Sequence, residues 1–483
     1  MTQPAVNVTE LDGSLGVLPD SAGRLLALAG VSSTGPVDTP STWARITDIV
    51  ATFGEGPLVE AAAFYIRRYG RPVVLIRTGQ TVAGSEGVLD DADFAGTSVV
   101  TLGSENANDD LEIEILFGAG GTIGVAGITY QYSLDGGRTR SPVTALGVAN
   151  TILVPGSGGV NFDFAAGTVV AGDILRTRTF APNWNGAEIT AALAALEASI
   201  LNWELVHVVG AMDGTAFDAV DLAVSGMAAK GKYHGWIGHF RMPNVAETEA
   251  QYKTAFDTAF SAKATVHGMV CAGAEKLTSA VSGRKYRRPV SFPVAAREAA
   301  SSEEVNTADV NLGPLQGVSI RDANGNPDEH DESVNPGLDD SRACVLRTWD
   351  GIQGVYINRP RLLSPAGSDF QLMPHRRVIN LAHAALRAYF IRRLNKPVLV
   401  NAATGFILET EAREIEAGAR AVLRAVLLAK PKASGIQFTL SRTDNLLSTK
   451  TMHGTARIVP LAYPEQIDLE VGFSNPALEL VAA

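Results

Sequence analysis

The stretch 226–232 (GMAAKGK) has the spacing of a phosphate-binding loop. In such loops, glycines let backbone N–H groups approach the phosphate, and a lysine neutralises its charge. Tyr233 follows, however, where the motif needs a Ser or Thr hydroxyl to bind magnesium. The stretch also lies after a predicted helix and before a predicted strand, which reverses the order of a true phosphate loop. We therefore interpret it as a helix that ends at a glycine.

An acidic segment at 321–340 contains part of a calcium-loop pattern. Asp322, Asn324 and Asn326 occupy the first three ligand positions. Pro327 stands where the loop needs a glycine for its turn, and the last position is not the glutamate that binds calcium with both oxygens. We predict a solvated acidic loop, with an irregular calcium site as the alternative.

The sequence shows no recognisable pattern of catalytic residues. It contains no GxSxG, HExxH or CxxC motif, and its eight histidines are scattered. His207 lies in an apolar run, where a hydrogen-bonded core histidine is the default interpretation. Cys271 and Cys344 are too few for a disulfide framework, which indicates a reducing cytoplasm, although a single bridge between them is an alternative. We predict that the protein is not an enzyme and has no catalytic residues, cofactor or metal.

Length and composition exclude several classes of protein. The chain has 483 residues, 46% hydrophobic and 19% charged, which is typical of a globular protein of about three domains. Its net charge of −11 argues against an extended nucleic-acid-binding surface. The N-terminus has no signal-peptide pattern, and no apolar run approaches the ~18 residues of a membrane-spanning helix. We expect no nucleic-acid partner and no membrane insertion.

Strand and helix patterns alternate over much of the chain. A buried strand at 25–29, a helix at 58–69 and a strand at 73–76 open the fold, and further strand–helix units follow from residue 187. Such units predict a parallel sheet. Between about 85 and 185, helical periodicity disappears, and short alternating runs predict a β-rich insertion.

The fold class predicted from these patterns is a multidomain α/β protein. Two long helices followed by β-segments indicate an α+β domain near the C-terminus. The predicted layout is an N-terminal arm (1–23), a parallel α/β core (24–84 with 186–358), an inserted β-rich domain (85–185), a C-terminal α+β domain (359–456) and an extended C-terminal arm (457–483).

Both arms have the alternation of a strand. Residues 466–473 (QIDLEVGF) alternate polar and apolar side chains, and the N-terminal segment has the same character. We predict that both arms donate strands to other subunits, with an ordinary edge strand as the alternative for 466–473. The candidate subunit-binding residues are Val6, Val8, Leu11, Ile467, Leu469, Val471 and Phe473.

A polar stripe follows one face of the first long C-terminal helix. Arg376, Asn380, His383 and Arg387 recur at helical spacing. We predict a docking face for an acidic partner, with a solvated helix face as the alternative.

Several segments together resemble the contractile tail sheath proteins of bacteriophages and related injection machines. They lie in the N-terminal part, at the start of the first helix and around the polar stripe. They are Leu15–Val17, Leu26–Gly30, Gly35–Pro36, Phe53–Leu58 with Ala61–Ala62, Met373–Val378 and Asn395–Pro397.

The resemblance implies a structural function. Sheath subunits stack as rings or a helix around an inner tube, exchange strands through their arms, and rearrange on contraction to drive the tube through a cell envelope. It also implies a subtilisin-like core, although no protease triad is visible, and a tube-facing role for Arg376, Asn380, His383 and Arg387. The expected partners are further copies of the chain, the inner tail tube protein, and baseplate and tail terminator proteins. The expected location is the virion tail, assembled in the host bacterial cytoplasm. Two rivals are a soluble α/β hydrolase with an inserted β-domain and another tail component.

Overall fold

The structure is a computed structural model that describes residues 25–103, 107–244, 247–322, 325 and 328–473. The chain forms two compact units, of which the first ends at Asn395 and the second begins at Lys396. The predicted N-terminal arm, with Val6, Val8 and Leu11, lies outside the described residues.

The first unit opens with strands and helices in alternation. Pro57 occupies the first position of helix α2, where its missing N–H leaves no hydrogen bond unmade, and Gly70 ends the helix at a φ of 63°. These are the boundaries predicted from the sequence. The elements are β1 (Leu25–Gly30), β2 (Ser41–Trp43), α1 (Ile46–Phe53), α2 (Pro57–Tyr69) and β3 (Val73–Arg77).

In the described residues between β3 and residue 185, every regular element is a strand. Ile113, Ile115 and Phe117 alternate into an apolar core together with Phe162. The strands are β4 (Ser85–Glu86), β5 (Val100–Gly103), β6 (Glu112–Ala119), β7 (Gly121–Thr122), β8 (Thr129–Ser133), β9 (Thr144–Ala145), β10 (Thr151–Leu153), β11 (Asn161–Phe164), β12 (Thr168–Val169) and β13 (Ile174–Phe180). They form sheets in the orders β4-β13-β6-β8-β9, β10-β11-β5 and β12-β7.

Strand–helix units then resume. Asn185 and Glu188 form a capping box at the start of α3, and Thr248 and Gln251 form one at the start of α5. The elements are α3 (Gly186–Ala198), β14 (Trp203–Ala211), α4 (Gly214–Ala229), β15 (Gly235–His239), α5 (Glu249–Phe260) and β16 (Gly268–Cys271). The central sheet has the order β16-β15-β14-β1-β3-β2, and only β2 is antiparallel to its neighbour.

Smaller sheets and a long helix complete the first unit. A short 3₁₀ turn occupies Val310–Leu312. The sheets have the orders β18-β17-β19 and β20-β21. The elements are β17 (Ala274–Thr278), β18 (Lys285–Pro289), α6 (Ser291–Ala300), β19 (Val318–Ser319), β20 (Leu346–Trp349), β21 (Ile352–Ile357) and α7 (Met373–Ile391).

The central sheet is buried on both faces. Leu26 and Leu28 of β1 pack into one core with residues of α1, α2 and α6. Ala27 and Ala29 point the other way, into a second core with residues of α3, α4 and α5. Because neither face meets water, the strands are continuously apolar instead of alternating, which is why they were recognisable as buried strands.

The described part of the second unit contains two helices and a two-stranded ribbon. The longer helix continues as a π turn over Arg424–Leu428. A single antiparallel bridge joins Val400 with Ile407. The elements are α8 (Glu409–Leu423), β22 (Gly435–Leu440), α9 (Leu446–Thr449) and β23 (Gly454–Val459).

The observed division of the chain differs from the predicted C-terminal boundaries. The prediction placed α7 in a domain covering 359–456, whereas α7 belongs to the first unit because Met373 is fully buried in its core. The predicted arm began at 457, but β23 extends to Val459 and pairs with β22. Sequence periodicity identified these elements without showing which core each one joins.

The motif-like segments have structural roles where they are described. Helix α4 ends at Ala229, and Gly231 follows with a φ of 79°, so the helix-end interpretation of 226–232 is confirmed. Cys271 and Cys344 are buried, free thiols on neighbouring strand segments. Asn324 and Asn326 lie outside the described residues. Within the described ranges, no group of His, Cys, Asp or Glu side chains is arranged to hold a metal ion, and no helix is long and apolar enough to cross a membrane.

Close packing between β15 and β16 generates the first testable prediction. A Cβ atom at Gly268 would overlap the indole of Trp236, which is fully buried. We expect Gly268→Ala to lower the free energy of unfolding by about 1–3 kcal/mol, because a rigid core cannot make room. Gly226 in α4 is the control, since a Cβ there meets nothing within 4 Å. Gly226→Ala should stabilise by about 0.5–1 kcal/mol. Urea unfolding measures both variants. If Gly268→Ala and Gly226→Ala changed the free energy of unfolding equally, the close contact between Gly268 and Trp236 would be contradicted.

Candidate assembly surfaces

The segment after β23 presents an apolar row to solvent. Ile467, Leu469 and Val471 are 72%, 80% and 94% exposed, and Phe473 is fully exposed. The strand predicted at 466–473 is not formed, because no described segment pairs with its backbone. It is therefore not an edge strand of the β22–β23 ribbon. The segment keeps the alternation of a strand and lacks the partner that a strand needs.

The β22–β23 ribbon is the sheet of the second unit. The strands pair from Gly435 with Val459 to Leu440 with Gly454. Phe438 and Leu440 are buried on one face of the ribbon. Since the described sheet has only two strands, each strand has an outer edge without a strand partner. Such edges accept additional strands readily.

Ion pairs fix the ribbon to α8. The Glu416 carboxylate accepts hydrogen bonds from the backbone N–H of Leu440 at 2.8 Å and from Arg442 at 2.7 Å. Arg442 also donates to Glu409 at 2.6 Å. These contacts hold the ribbon against the helix and leave β23 largely exposed.

The predicted polar stripe of α7 does not form one surface. Arg376 is 6% exposed and Asn380 is 1% exposed, so both are enclosed in the first unit. His383 is half-buried, with its ring 4.6 Å from that of Tyr233, and Arg387 is exposed close to Gly231. Of the four candidate tube-facing residues, only Arg387 is exposed. The expectation of a shared docking face is therefore wrong for Arg376 and Asn380, because polar spacing alone does not show which side of a helix packs.

Arg377 anchors α7 to the core. Its guanidinium donates to the Glu204 carboxylate at 2.8 and 3.3 Å, and it lies 3.6 Å from Glu298. It also donates to the backbone carbonyls of Glu298 and Ser301, at 2.9 and 3.0 Å. Arg377 and Glu298 are almost completely buried. The arginine therefore connects α7 with α6 and with β14.

The electrostatics of this anchor follow from its burial. Desolvation raises the pKa of Glu298 to about 7, although Arg377 and the Thr307 hydroxyl oppose the rise. Glu204 is paired directly with the guanidinium. This network was not predicted from the sequence. The adjacent Arg376–Arg377 pair was part of the sheath-like motif, but it gave no indication of which arginine faces inward.

A buried cluster joins His207 of β14 and His239 of β15 with Ser291 at the start of α6. The Ser291 hydroxyl is 2.9 Å from His207 Nε2 and 3.1 Å from His239 Nδ1. Burial lowers the pKa of each histidine to about 3, so both imidazoles are neutral. All three side chains are at least 96% buried. The predicted hydrogen-bonded core position of His207 is confirmed.

The acidic segment is held to α5 by a charged histidine. His330 is 3% exposed and bonds the Glu249 carboxylate at 2.8 Å and that of Glu332 at 3.0 Å. Its two hydrogen-bonded carboxylates raise the pKa of His330 to about 9 against the effect of burial. Asp331 accepts bonds from Ser333 and Thr348, which lower its pKa to about 2. These carboxylates are thus engaged by protein donors, unlike those of a solvated loop.

A family assignment comes from comparison with known proteins. A family profile described as the DUF2586 N-terminal domain matches residues 3–361, well over half of the sequence. The chain belongs to the DUF2586 family. No curated protein matches this DUF2586 chain.

Solved structures share the fold of this DUF2586 protein at low sequence identity. A chain of the anti-feeding prophage helical sheath in its contracted state aligns with a TM-score of 0.52 and 11% identity, over 98% of this chain and 100% of that chain. A chain of the anti-feeding prophage baseplate gives 0.51 and 10%, over the same shares. The sheath tail protein Lin1278 from Listeria innocua gives 0.45 and 13%, over 91% of this chain and 96% of that one. The resemblance predicted from the motifs is confirmed at the level of the fold.

The Arg377 anchor of this DUF2586 protein predicts a large mutational effect. We expect Arg377→Met to lower the free energy of unfolding of the first unit by about 3–5 kcal/mol, because Glu204 and Glu298 lose their buried cation. Arg387→Met is the matched control on the same helix, and its exposed side chain predicts a change within about 0.5 kcal/mol. Urea unfolding measures the free energy of unfolding of both variants. If Arg377→Met changed it as little as Arg387→Met does, Arg377 would not be what holds α7 to the core.

His330 predicts a pH dependence of stability. Its folded pKa is raised, so its contribution is complete below about pH 6.5 and is lost as the pH rises through about 9. We expect the stability advantage of the wild type over His330→Gln to fall by about 1–2 kcal/mol between pH 6.5 and 9.5, since Glu249 is partly solvated. An advantage that stays constant over this range would show that His330 is not charged in the folded protein.

Proposed function

We propose that this chain is the repeating subunit of a contractile tail sheath. The single observation that carries the proposal is the fold shared with the contracted anti-feeding prophage sheath over 98% of this chain. In this role, copies of the chain stack as rings or a helix around an inner tail tube protein. The structural role makes the protein a scaffold and not an enzyme.

Strand donation between subunits would hold such a polymer together. The exposed alternating row from Ile467 to Phe473 has the side-chain pattern of a donor strand, and the outer edges of the β22–β23 ribbon are suitable acceptors. The N-terminal segment with Val6, Val8 and Leu11 would donate a second strand. Main-chain hydrogen bonds supply affinity in this mode, and the alternate apolar side chains supply the register.

Contraction would be a rigid-body rearrangement of subunits that stay connected through their arms. The tube would thereby be driven through a cell envelope. The fold shared with a baseplate chain supports an association with baseplate proteins, and a tail terminator would close the far end. We place the assembled protein in a virion tail built in the host bacterial cytoplasm.

The domain layout belongs to the same proposal. We infer that residues 85–185 are an insertion in the α/β core, because every regular element described there is a strand. The parallel sheet covered on both faces supports a relationship of this core to subtilisin-like folds. Of the four candidates for contact with the tube, Arg387 is the one that is exposed in the described chain.

The donor-strand model predicts different effects for the two faces of one segment. In the full-length chain, Leu469→Ser with Val471→Ser should lower the amount of polymer by at least ~10-fold, since each lost apolar contact weakens assembly by about 1–3 kcal/mol. Asp468→Ser with Glu470→Ser changes the same strand on its polar face and should leave assembly nearly intact. Sedimentation and negative-stain electron microscopy measure the polymer. Undiminished assembly of the apolar double variant would refute strand donation.

A further inference from the structure

Arg376 differs from the other buried arginines of the described chain. Four of them have acceptors: Arg287 pairs with Glu329, Arg288 with Asp109 and Arg377 with Glu204, and Arg297 donates to the carbonyls of Gly313 and Pro314. Arg376 is 6% exposed, and no described carboxylate or carbonyl accepts a hydrogen bond from its guanidinium. A buried cation without a negative partner is costly, so the missing acceptor needs an explanation.

The described groups around Arg376 are aromatic rings, imidazoles and an amide, none of which carries a negative charge near pH 7. The guanidinium lies over the ring of Phe370 at 5.5 Å. His267 and His383 are near enough for its charge to lower their pKa, and the Tyr233 phenol is the one acidic group that acts on it. No carboxylate is among these neighbours.

The side-chain atoms around Arg376 leave unused hydrogen-bonding capacity. Nδ1 of His267 and Nδ1 of His383 have no hydrogen-bond partner, and the same holds for Oδ1 of Asn380, which is 99% buried. Burial lowers the pKa of His267 to about 4 and also lowers that of His383, with a smaller contribution from Arg376, so both rings are neutral near pH 7. A neutral imidazole carries one N–H that can be donated. Asn380 can offer its NH₂ group by rotation of the amide.

The start of α7 adds to the positive potential. Arg376 lies in the first helical turn, which contains no acidic residue, and Leu372 provides no side-chain cap. The helix dipole gives this turn a partial positive charge that favours anions. The Met373 N–H already donates to the Pro360 carbonyl and Pro374 has no N–H, so the dipole and not a row of free N–H groups makes this contribution. A cation in this turn therefore stands where the helix dipole opposes it. An anion would compensate both charges, whereas water would satisfy hydrogen bonds without supplying negative charge.

We propose that Arg376, His267, His383 and Asn380 form a receptor for one small oxyanion of the size of phosphate or a free carboxylate. The exposures of 6% for Arg376 and 1% for Asn380 favour a free ion over the side chain of a second protein. Arg376 supplies the charge and a fork of N–H donors, and the neighbouring side chains supply further donors. The receptor lies entirely within the first unit, so it does not depend on the sheath function.

Equilibrium dialysis of the full-length protein against radiolabelled inorganic phosphate tests the receptor. We expect about one phosphate per chain, competition by acetate and none by chloride at equal ionic strength. Arg376→Met should weaken binding at least ~10-fold, because it removes the charge and keeps the length of the side chain. Without phosphate, this variant should be as stable as the wild type, since it also removes the unpaired buried charge. Arg387→Met, four residues beyond His383, should bind phosphate normally.

Three outcomes would overturn the receptor. One is the absence of saturable phosphate binding by the wild type. Another is undiminished binding by Arg376→Met. The third is phosphate binding that appears only after the chain has assembled, since a neighbouring subunit would then be needed to complete the site. If Arg376→Met does not fold, Arg376→Lys replaces it, and its loss of the planar fork should still weaken binding.

Discussion

The need of every β-strand for backbone hydrogen-bond partners connects the fold of this protein to its proposed assembly. In the central sheet the requirement is met within the chain, where six strands pair and helices cover both faces. In the second unit it is met only in part, because the β22–β23 ribbon has two outer edges and the segment from Ile467 to Phe473 pairs with nothing described. The described segment from Ile467 to Phe473 is therefore the part of the second unit that the proposed strand donation depends on.

The first unit must also compensate the charges of the arginines that it buries. Arg377 is stable inside the protein because Glu204 and Glu298 surround it, and this network holds α7 to the core. Arg376 is adjacent in sequence, but no carboxylate of the described residues pairs with its guanidinium, which lies over the ring of Phe370. The two consecutive arginines of α7 thus differ in their partners. Arg377 is paired within the protein, whereas Arg376 is proposed to bind an anion from solution.

The sequence predicted the local elements well and their associations less well. Strands β1 and β3 were evident because burial on both faces makes them almost continuously apolar, and α2 was bounded by Pro57 and Gly70. The stripe on α7 was misjudged, since periodicity identifies a face without showing what covers it, and Arg376 and Asn380 proved to be buried. The Glu204–Arg377 pair joins residues 173 positions apart, and no local pattern contains such information. The alternating apolar residues from Ile467 to Phe473 could be recognised in the sequence because alternation is a local property.

Negative-stain electron microscopy of the purified full-length protein at several concentrations tests the central claim most directly. A sheath subunit should form hollow striated tubes or stacked rings as its concentration rises, or when inner-tube protein is added. Dispersed single chains under all of these conditions would contradict the account.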